Sequence, residues 1–144
     1  MSRVDRDTIL SLVPHQGRMC LWDEVLEWEA GRIVLQTGAH RDPAHPLRSG
    51  GVLHALHLCE YGAQAMAVHG GLLARAQGGR AADGMLVALR DVALQLARID
   101  DLAGLLRGEA ELLLAATGSQ QYGFRILHDG REIASGRAAA MLSP

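Results

Sequence analysis

Four polar side chains that could take part in chemistry lie in a stretch of sequence that is otherwise apolar. Within residues 49–74, Glu60 is the only formally charged residue, and His54, His57 and Gln64 lie within one or two helical turns of it. At about 100° per residue these four side chains fall within a sector of roughly 120° on a helix. The spacing therefore predicts a polar strip along one side of an apolar helix, where a cleft or water-lined tunnel is expected.

The residues alone leave three interpretations of this strip open. The four side chains could form a satisfied polar network that fixes the helix, or His54, His57 and Glu60 could bind a metal ion at i, i+3 spacing. The third interpretation is acid/base catalysis, and we favour it. An apolar helix is normally buried, and burial of a carboxylate favours its protonated form. We therefore expect Glu60 to lie in the interior or at a subunit interface.

The elements that would position this strip can be read from hydrophobic periodicity and turn residues. The predicted elements are a short helix over Asp5–Leu12, strands over Met19–Glu29 and Arg32–Thr37, an ordered loop over His40–Ser49, a long helix over Gly50–Arg75, and then three or four strands with turns at 100–104, 117–120 and 129–130. Strands on both sides of one long helix predict a single α+β domain over residues 1–144. In that domain an antiparallel sheet of five to six strands curves around the helix.

Composition excludes several classes of protein. The 144 residues contain no lysine, which rules out Schiff-base chemistry and a phosphate-loop lysine, and neither GxSxG nor GxGxxG occurs. The net charge of −2 gives no basic surface for nucleic acid. Neither a membrane span nor a secretory signal is visible, so a cytoplasmic location is expected. The two cysteines, Cys20 and Cys59, match no metal or disulfide pattern.

Several segments resemble a known enzyme family. The runs His45–Leu53 and Glu60–Gln64 resemble the active-site segment of the 3-hydroxyacyl-[acyl-carrier-protein] dehydratases, and Leu12–Val25 resembles the entry to their first strand. Leu86–Val92 and Gly136–Ala138 are closest to the divergent branch from aryl polyene biosynthesis clusters. Together these segments span nearly the whole chain.

This resemblance implies a hotdog fold and a function in fatty acid or polyene-type biosynthesis, the dehydration of a 3-hydroxyacyl thioester to a trans-2-enoyl thioester. It also implies dimerisation through the sheets, with His45 of one subunit facing Glu60 of the other. Gly50 or Gly51 at the helix start would direct an amide at the thioester oxygen. The spacing from His45 to Glu60 is 60 − 45 = 15 positions, which suggests that the helix starts one turn early.

The roles that follow are those of a general base and a general acid. We expect His45 to accept the α-proton and protonated Glu60 to donate to the departing hydroxyl. Gln64 would orient Glu60 or a water, and His57 would join it among the substrate-binding residues. The implied reaction needs neither a cofactor nor a metal.

The expected partners are acyl carrier protein, which brings the substrate, and a second subunit. Arg48, with Arg75 or Arg80, is a candidate for contact with the acidic carrier protein. The assembly would be a homodimer or a heterodimer with a related dehydratase subunit, or a higher oligomer. Two alternatives stay open, namely an acyl thioesterase on the same fold and a non-catalytic partner subunit of a heteromeric dehydratase.

Overall fold

One long helix packs on a six-stranded antiparallel sheet, which confirms the predicted hotdog architecture. The computed structural model describes residues 3–80 and 84–143. The elements are α1 (Arg6–Leu12), β1 (Glu24–Glu29), β2 (Arg32–Thr37), α2 (Leu58–Ala76), β3 (Gly84–Leu94), β4 (Leu106–Ala116), β5 (Ser119–His128) and β6 (Arg131–Leu142), with 3-10 turns at Gly17–Met19, Ala39–Arg41 and Ala55–His57. No helix among the described residues is both long and apolar enough to cross a membrane.

The sheet order is β1-β2-β4-β5-β6-β3, so β3 lies at one edge beside β6. The hairpin between β5 and β6 turns at Asp129 and Gly130, whose φ angles of 50° and 76° are those of a tight two-residue turn. The predicted turn near residues 117–120 is also present between β4 and β5, with Gly118 at φ 80°. The first strand begins at Glu24 and not at Met19, because Gly17–Met19 forms a 3-10 turn.

The long helix begins later than the sequence suggested. Gly50 and Gly51 have φ angles of 58° and 79° and lie in a turn closed by hydrogen bonds between Ser49 and Val52. The backbone then pairs with residues 97–99, and α2 begins only at Leu58. The prediction that a glycine amide stands at the helix start is therefore wrong, since left-handed glycines followed by a bridged segment cannot continue a helix.

An aromatic ring holds the helix and the sheet together. Phe124 on β5, the chain's only phenylalanine, lies between Gly62 of α2 and Gly136 of β6. A Cβ atom built at Gly62 would lie 2.5 Å from the ring, and one at Gly136 would lie 2.8 Å from it. Glycine at both positions lets helix and strand approach the two sides of the ring.

The edge strand β3 is exposed on both faces over most of its length. Its exposed apolar side chains include Met85 at 70%, Val87 at 50% and Val92 at 40%. The pairing with β6 shifts register between Arg90 and Ala93, where Asp91 has a φ of 54°. An apolar strand that is both open on its faces and at a sheet edge is typical of an interface.

Candidate functional site

His45 lies in a loop turn and is almost fully buried. The turn is fixed by the His45 amide, which donates to the Asp42 carbonyl at 3.0 Å, and by the Arg48 amide, which donates to the His45 carbonyl at 3.1 Å. Only 5% of His45 is exposed. The Leu47 amide donates to its Nδ1 at 3.1 Å, and its Nε2 lies 3.0 Å from the Tyr61 hydroxyl. Because Nδ1 accepts a hydrogen bond, the proton of the neutral ring belongs to Nε2, which donates to Tyr61.

The surroundings of His45 keep its imidazole neutral. Burial lowers the pKa of His45 below its usual value, and the positive charge of Arg48 and the nearby His57 lower it further. The ring is thus unprotonated at Nδ1 near neutral pH, which is the form required of a base. Both ring nitrogens are nevertheless engaged inside the chain.

Glu60 is exposed within the single chain. Its side chain is 49% accessible, and its Oε1 atom lies 3.3 Å from Nδ1 of His57. The prediction that Glu60 lies in the interior is therefore wrong for the isolated chain. The physical reason is that α2 is not buried all round, because Ala63 and Ala67, which follow Glu60 along the same side of the helix, are only half-buried. The alternative expectation of a subunit interface stays a prediction.

Gln64 does not share the surroundings of Glu60. It is 2% exposed, its Nε2 donates to the Met19 carbonyl at 2.8 Å, and its Oε1 accepts from the Leu21 amide at 2.6 Å. Both ends of the amide are thus used to hold the segment before β1 against the helix. The expectation that Gln64 orients Glu60 or a water is corrected by these contacts.

The histidines of the predicted strip also separate. His54 precedes the helix and pairs with Arg98 in an isolated bridge, whereas His57 ends the 3-10 turn and contacts Glu60. Over residues 3–80 and 84–143, no three His, Cys, Asp or Glu side chains gather in a metal-binding arrangement. His57 is the member of the strip that is close to both predicted catalytic groups. It contacts Glu60, and its charge helps to lower the pKa of His45.

Arg48 fixes the loop that carries His45. Its guanidinium donates to the Gly51 carbonyl at 3.0 Å and to the His40 carbonyl at 3.2 Å, and it lies 4.0 Å from a carboxylate oxygen of Asp100. The side chain is 13% exposed. Both terminal nitrogens of Arg48 are therefore engaged inside the chain, and its Nε is buried without a hydrogen-bond partner among the described residues. This conformation does not favour contact with a carrier protein, which stays a prediction. Arg75 is exposed.

Tyr61 is the residue of the site that sequence reasoning missed. It is fully buried, its ring lies edge-on to Trp22 at 5.5 Å, and its carbonyl accepts from the Trp22 indole at 3.0 Å. The available signal was its position next to Glu60 in the Glu60–Gln64 run. Within one chain, then, His45 contacts Tyr61 and Glu60 contacts His57, so the two predicted catalytic groups have different partners.

A small pocket opens beside His45. It has a volume of about 170 Å³ and is lined by Cys20, Ala39 and Pro46 with charged side chains of both signs, Arg6, Arg18, Asp23 and Asp42. Arg18 and Asp42 lie 3.5 Å apart across its rim. The imidazole is thus close to a space that a small group could enter.

Comparison with known proteins agrees with this architecture. The family model of the ApeP-like group, described as ApeP dehydratase, matches residues 7–143. Among solved structures, the dehydratase heterocomplex ApeI:P from Xenorhabdus doucetiae superposes with a TM-score of 0.85 at 22% identity, covering 98% of this chain and 92% of that chain. A hypothetical thioesterase with coenzyme A from Streptococcus pneumoniae superposes with a TM-score of 0.60 at 16% identity, covering 83% and 84%. No curated protein sequence matches.

Proposed function

The chain belongs to the ApeP-like dehydratase family, and from this premise we propose that it dehydrates 3-hydroxyacyl thioesters on acyl carrier protein to trans-2-enoyl thioesters. The site is formed between two subunits. His45 of one subunit supplies the base, and a second subunit supplies the acid, which is Glu60 where the second subunit is a copy of this chain.

The observation that carries this proposal is the placement of Glu60. It is the one charged side chain in residues 49–74, and it lies half exposed in the first turn of a helix that also contacts the edge strand β3. In the isolated chain this carboxyl group is in contact with water, and in the proposed assembly the second subunit covers it. Covering that surface removes water, which favours the protonated form needed of a general acid.

The proposed assembly follows from the same surface. The exposed side chains of β3 are mostly apolar, with Arg90 and Asp91 as the charged exceptions, and its outer edge is free among the described residues. The neighbour from Xenorhabdus doucetiae is a dehydratase heterocomplex, which supports pairing of this chain with a second dehydratase subunit. Pairing along β3 would extend the sheet and bring the exposed side of α2 against the partner.

In the proposed reaction the thioester makes the α-proton acidic. The α C–H bond breaks, the proton goes to the imidazole of His45, and the electron pair moves onto the thioester oxygen. Those electrons then return to form the Cα–Cβ double bond while the β-hydroxyl, protonated by the acid, leaves as water. Proton transfer from the imidazolium to the carboxylate restores both groups, so no cofactor is consumed.

The test is incubation of the purified chain, alone and with a co-expressed dehydratase partner, with a 3-hydroxyacyl carrier protein. Mass spectrometry distinguishes loss of one water from release of the free carrier thiol, which is the product of a thioesterase. Glu60→Gln should lower the rate of dehydration by about 10²–10⁴-fold. Glu111→Gln, which changes an exposed carboxyl group on β4, is the matched control. Equal rates for the two variants would contradict the proposal.

One observation favours a second candidate, a subunit that supplies the acid but not the base. Both ring nitrogens of His45 are hydrogen-bonded inside the chain. In this case His45→Gln would leave the rate of the paired complex near that of the wild type, whereas Glu60→Gln would still reduce it. A loss of rate in both variants supports the two-residue site.

A further inference from the structure

The chain contains two buried tyrosine–histidine pairs of opposite hydrogen-bond direction. In one pair His69 donates from Nε2 to the Glu29 carbonyl at 2.7 Å, so its Nδ1 accepts from the Tyr122 hydroxyl. In the other pair Nδ1 of His45 is occupied by a backbone amide, so Nε2 donates and Tyr61 accepts. In the first pair the tyrosine donates to a histidine that has no proposed part in the reaction. In the second pair the tyrosine accepts the Nε2 proton of His45, the proposed base.

We infer that Tyr61 is the positioning residue for His45. The Leu47 amide sets the neutral Nε2–H tautomer, and the Tyr61 hydroxyl accepts from Nε2 and fixes the orientation of the ring, with Nδ1 as its basic atom. This inference rests on the proposed function and extends it to a third residue. The arrangement follows the general logic of an oriented base, in which a group behind the imidazole fixes the ring and stabilises the imidazolium that forms.

The geometry makes this role specific to Tyr61. The phenol oxygen lies 3.0 Å from Nε2, and the two rings are nearly parallel, with an interplanar angle of 21°. The phenol is itself held by the Trp22 ring, which meets it at 90°. Burial raises the pKa of Tyr61, so its hydroxyl stays neutral and can accept from the imidazole.

This tautomer has a consequence for the proton-transfer step. When Nδ1 takes the α-proton, the Leu47 amide must give up its bond to that atom. The imidazolium that results keeps its Nε2–H bond to Tyr61, and the electron pair of the broken C–H bond is left on the substrate. Loss of the Tyr61 oxygen would remove the acceptor that is present throughout the step.

The test compares Tyr61→Phe with Tyr122→Phe. Both substitutions delete one hydroxyl from a fully buried tyrosine that bonds to a histidine, so their structural costs are similar. We expect Tyr61→Phe to lower kcat for dehydration by about 10- to 100-fold, as for other imidazoles that lose an orienting partner, with KM little changed. Tyr122→Phe should leave kcat near the wild-type value.

A second readout is independent of turnover. Nitrogen-15 NMR of the histidines, with His45 assigned from a His45→Gln sample, should show Nδ1 unprotonated and Nε2 protonated in the wild type. In Tyr61→Phe the tautomer should be kept by the Leu47 amide, whereas the Nε2 signal should shift because its acceptor is lost. The charged or titratable groups close to this ring are Arg48, His57, Asp42 and His40, and the substitution leaves all of them in place.

The two readouts separate this inference from the proposed function. A wild type that is inactive on 3-hydroxyacyl carrier protein but shows the Tyr61-dependent Nε2 signal would contradict the function and retain the positioning role. An active wild type in which Tyr61→Phe and Tyr122→Phe have equal kcat, or in which the His45 spectrum does not change, overturns the inference.

Discussion

Replacing Gly62 by alanine should destabilise the protein, although alanine is the better helix former. The added Cβ would lie 2.5 Å from the Phe124 ring, where ordinary contact begins at 3.4 Å, so the ring must retreat by 3.4 − 2.5 = 0.9 Å. The ring is only 5% exposed and lies close to Gly136 of β6, so it can move only if its neighbours shift as well. Overpacking of this kind costs up to about 3 kcal/mol, and the helix gains about 1 kcal/mol from alanine. We expect a net loss of about 2 kcal/mol.

Gly70→Ala is the matched control. Gly70 belongs to the same helix, and a Cβ there would meet nothing within 4 Å. This substitution should stabilise the chain by about 0.5–1 kcal/mol. For a chain of this size the loss at Gly62 corresponds to a Tm lower by roughly 4–8 °C.

The assay is urea and thermal unfolding of both variants at one protein concentration, because assembly makes stability depend on concentration. Shortening the ring should relieve the clash, so Gly62→Ala combined with Phe124→Leu should lose less stability than the sum of the two single changes. A Gly62→Ala variant as stable as the wild type, or strict additivity in the double variant, would refute the reasoning.

Three further predictions concern residues around the site. Arg48→Ala should lose about 1–3 kcal/mol because it removes two hydrogen bonds from a charged group to loop carbonyls, whereas the exposed Arg75→Ala should stay within about 0.5 kcal/mol in the same denaturation assay. Gln64→Leu should also cost about 1–3 kcal/mol by leaving two backbone groups unpaired, without changing KM for a thioester substrate. Burial lowers the pKa values of His40 and His69, so the unfolded chain binds protons that the folded chain does not, and Tm should fall as pH drops below about 6.5. That fall should be smaller in His69→Gln, and an unchanged pH profile would contradict the assignment.

The fold was readable from the sequence because its signals are local. Alternating apolar residues and the Asp129-Gly130 pair specify the hairpin after β5, and the φ angles of 50° and 76° at that turn in the structure agree with them. The apolar run around Glu60 likewise indicated the one long helix. Its first turn was misplaced because the bonds that keep residues 53–55 out of the helix come from residues 97–99, more than 40 positions away.

The site was only partly readable because its contacts are not local. The His45–Tyr61 bond joins residues 16 positions apart, and Gln64 reaches residues 43 and 45 positions away. The sequence analysis placed Gln64 among the substrate-binding residues and Arg48 in contact with a carrier protein, but in the structure both side chains bind backbone groups. The hydropathy pattern showed that Glu60 lies in an apolar helix. It could not show whether the side of the helix that carries Glu60 is buried by the same chain or by a second subunit.

The free edge of β3 has a consequence for how the chain must be supplied. The edge strand has eleven residues, and its outer backbone donors and acceptors can pair with any extended peptide. The strand carries few charged side chains, which are the usual protection against unwanted pairing. Under the proposed pairing with a second dehydratase subunit, a folded copy made in excess of its partner would recruit whichever strand arrives first. Balanced production of both subunits is then the condition for recovering a defined complex, and a chain expressed by itself should yield larger species as its concentration rises.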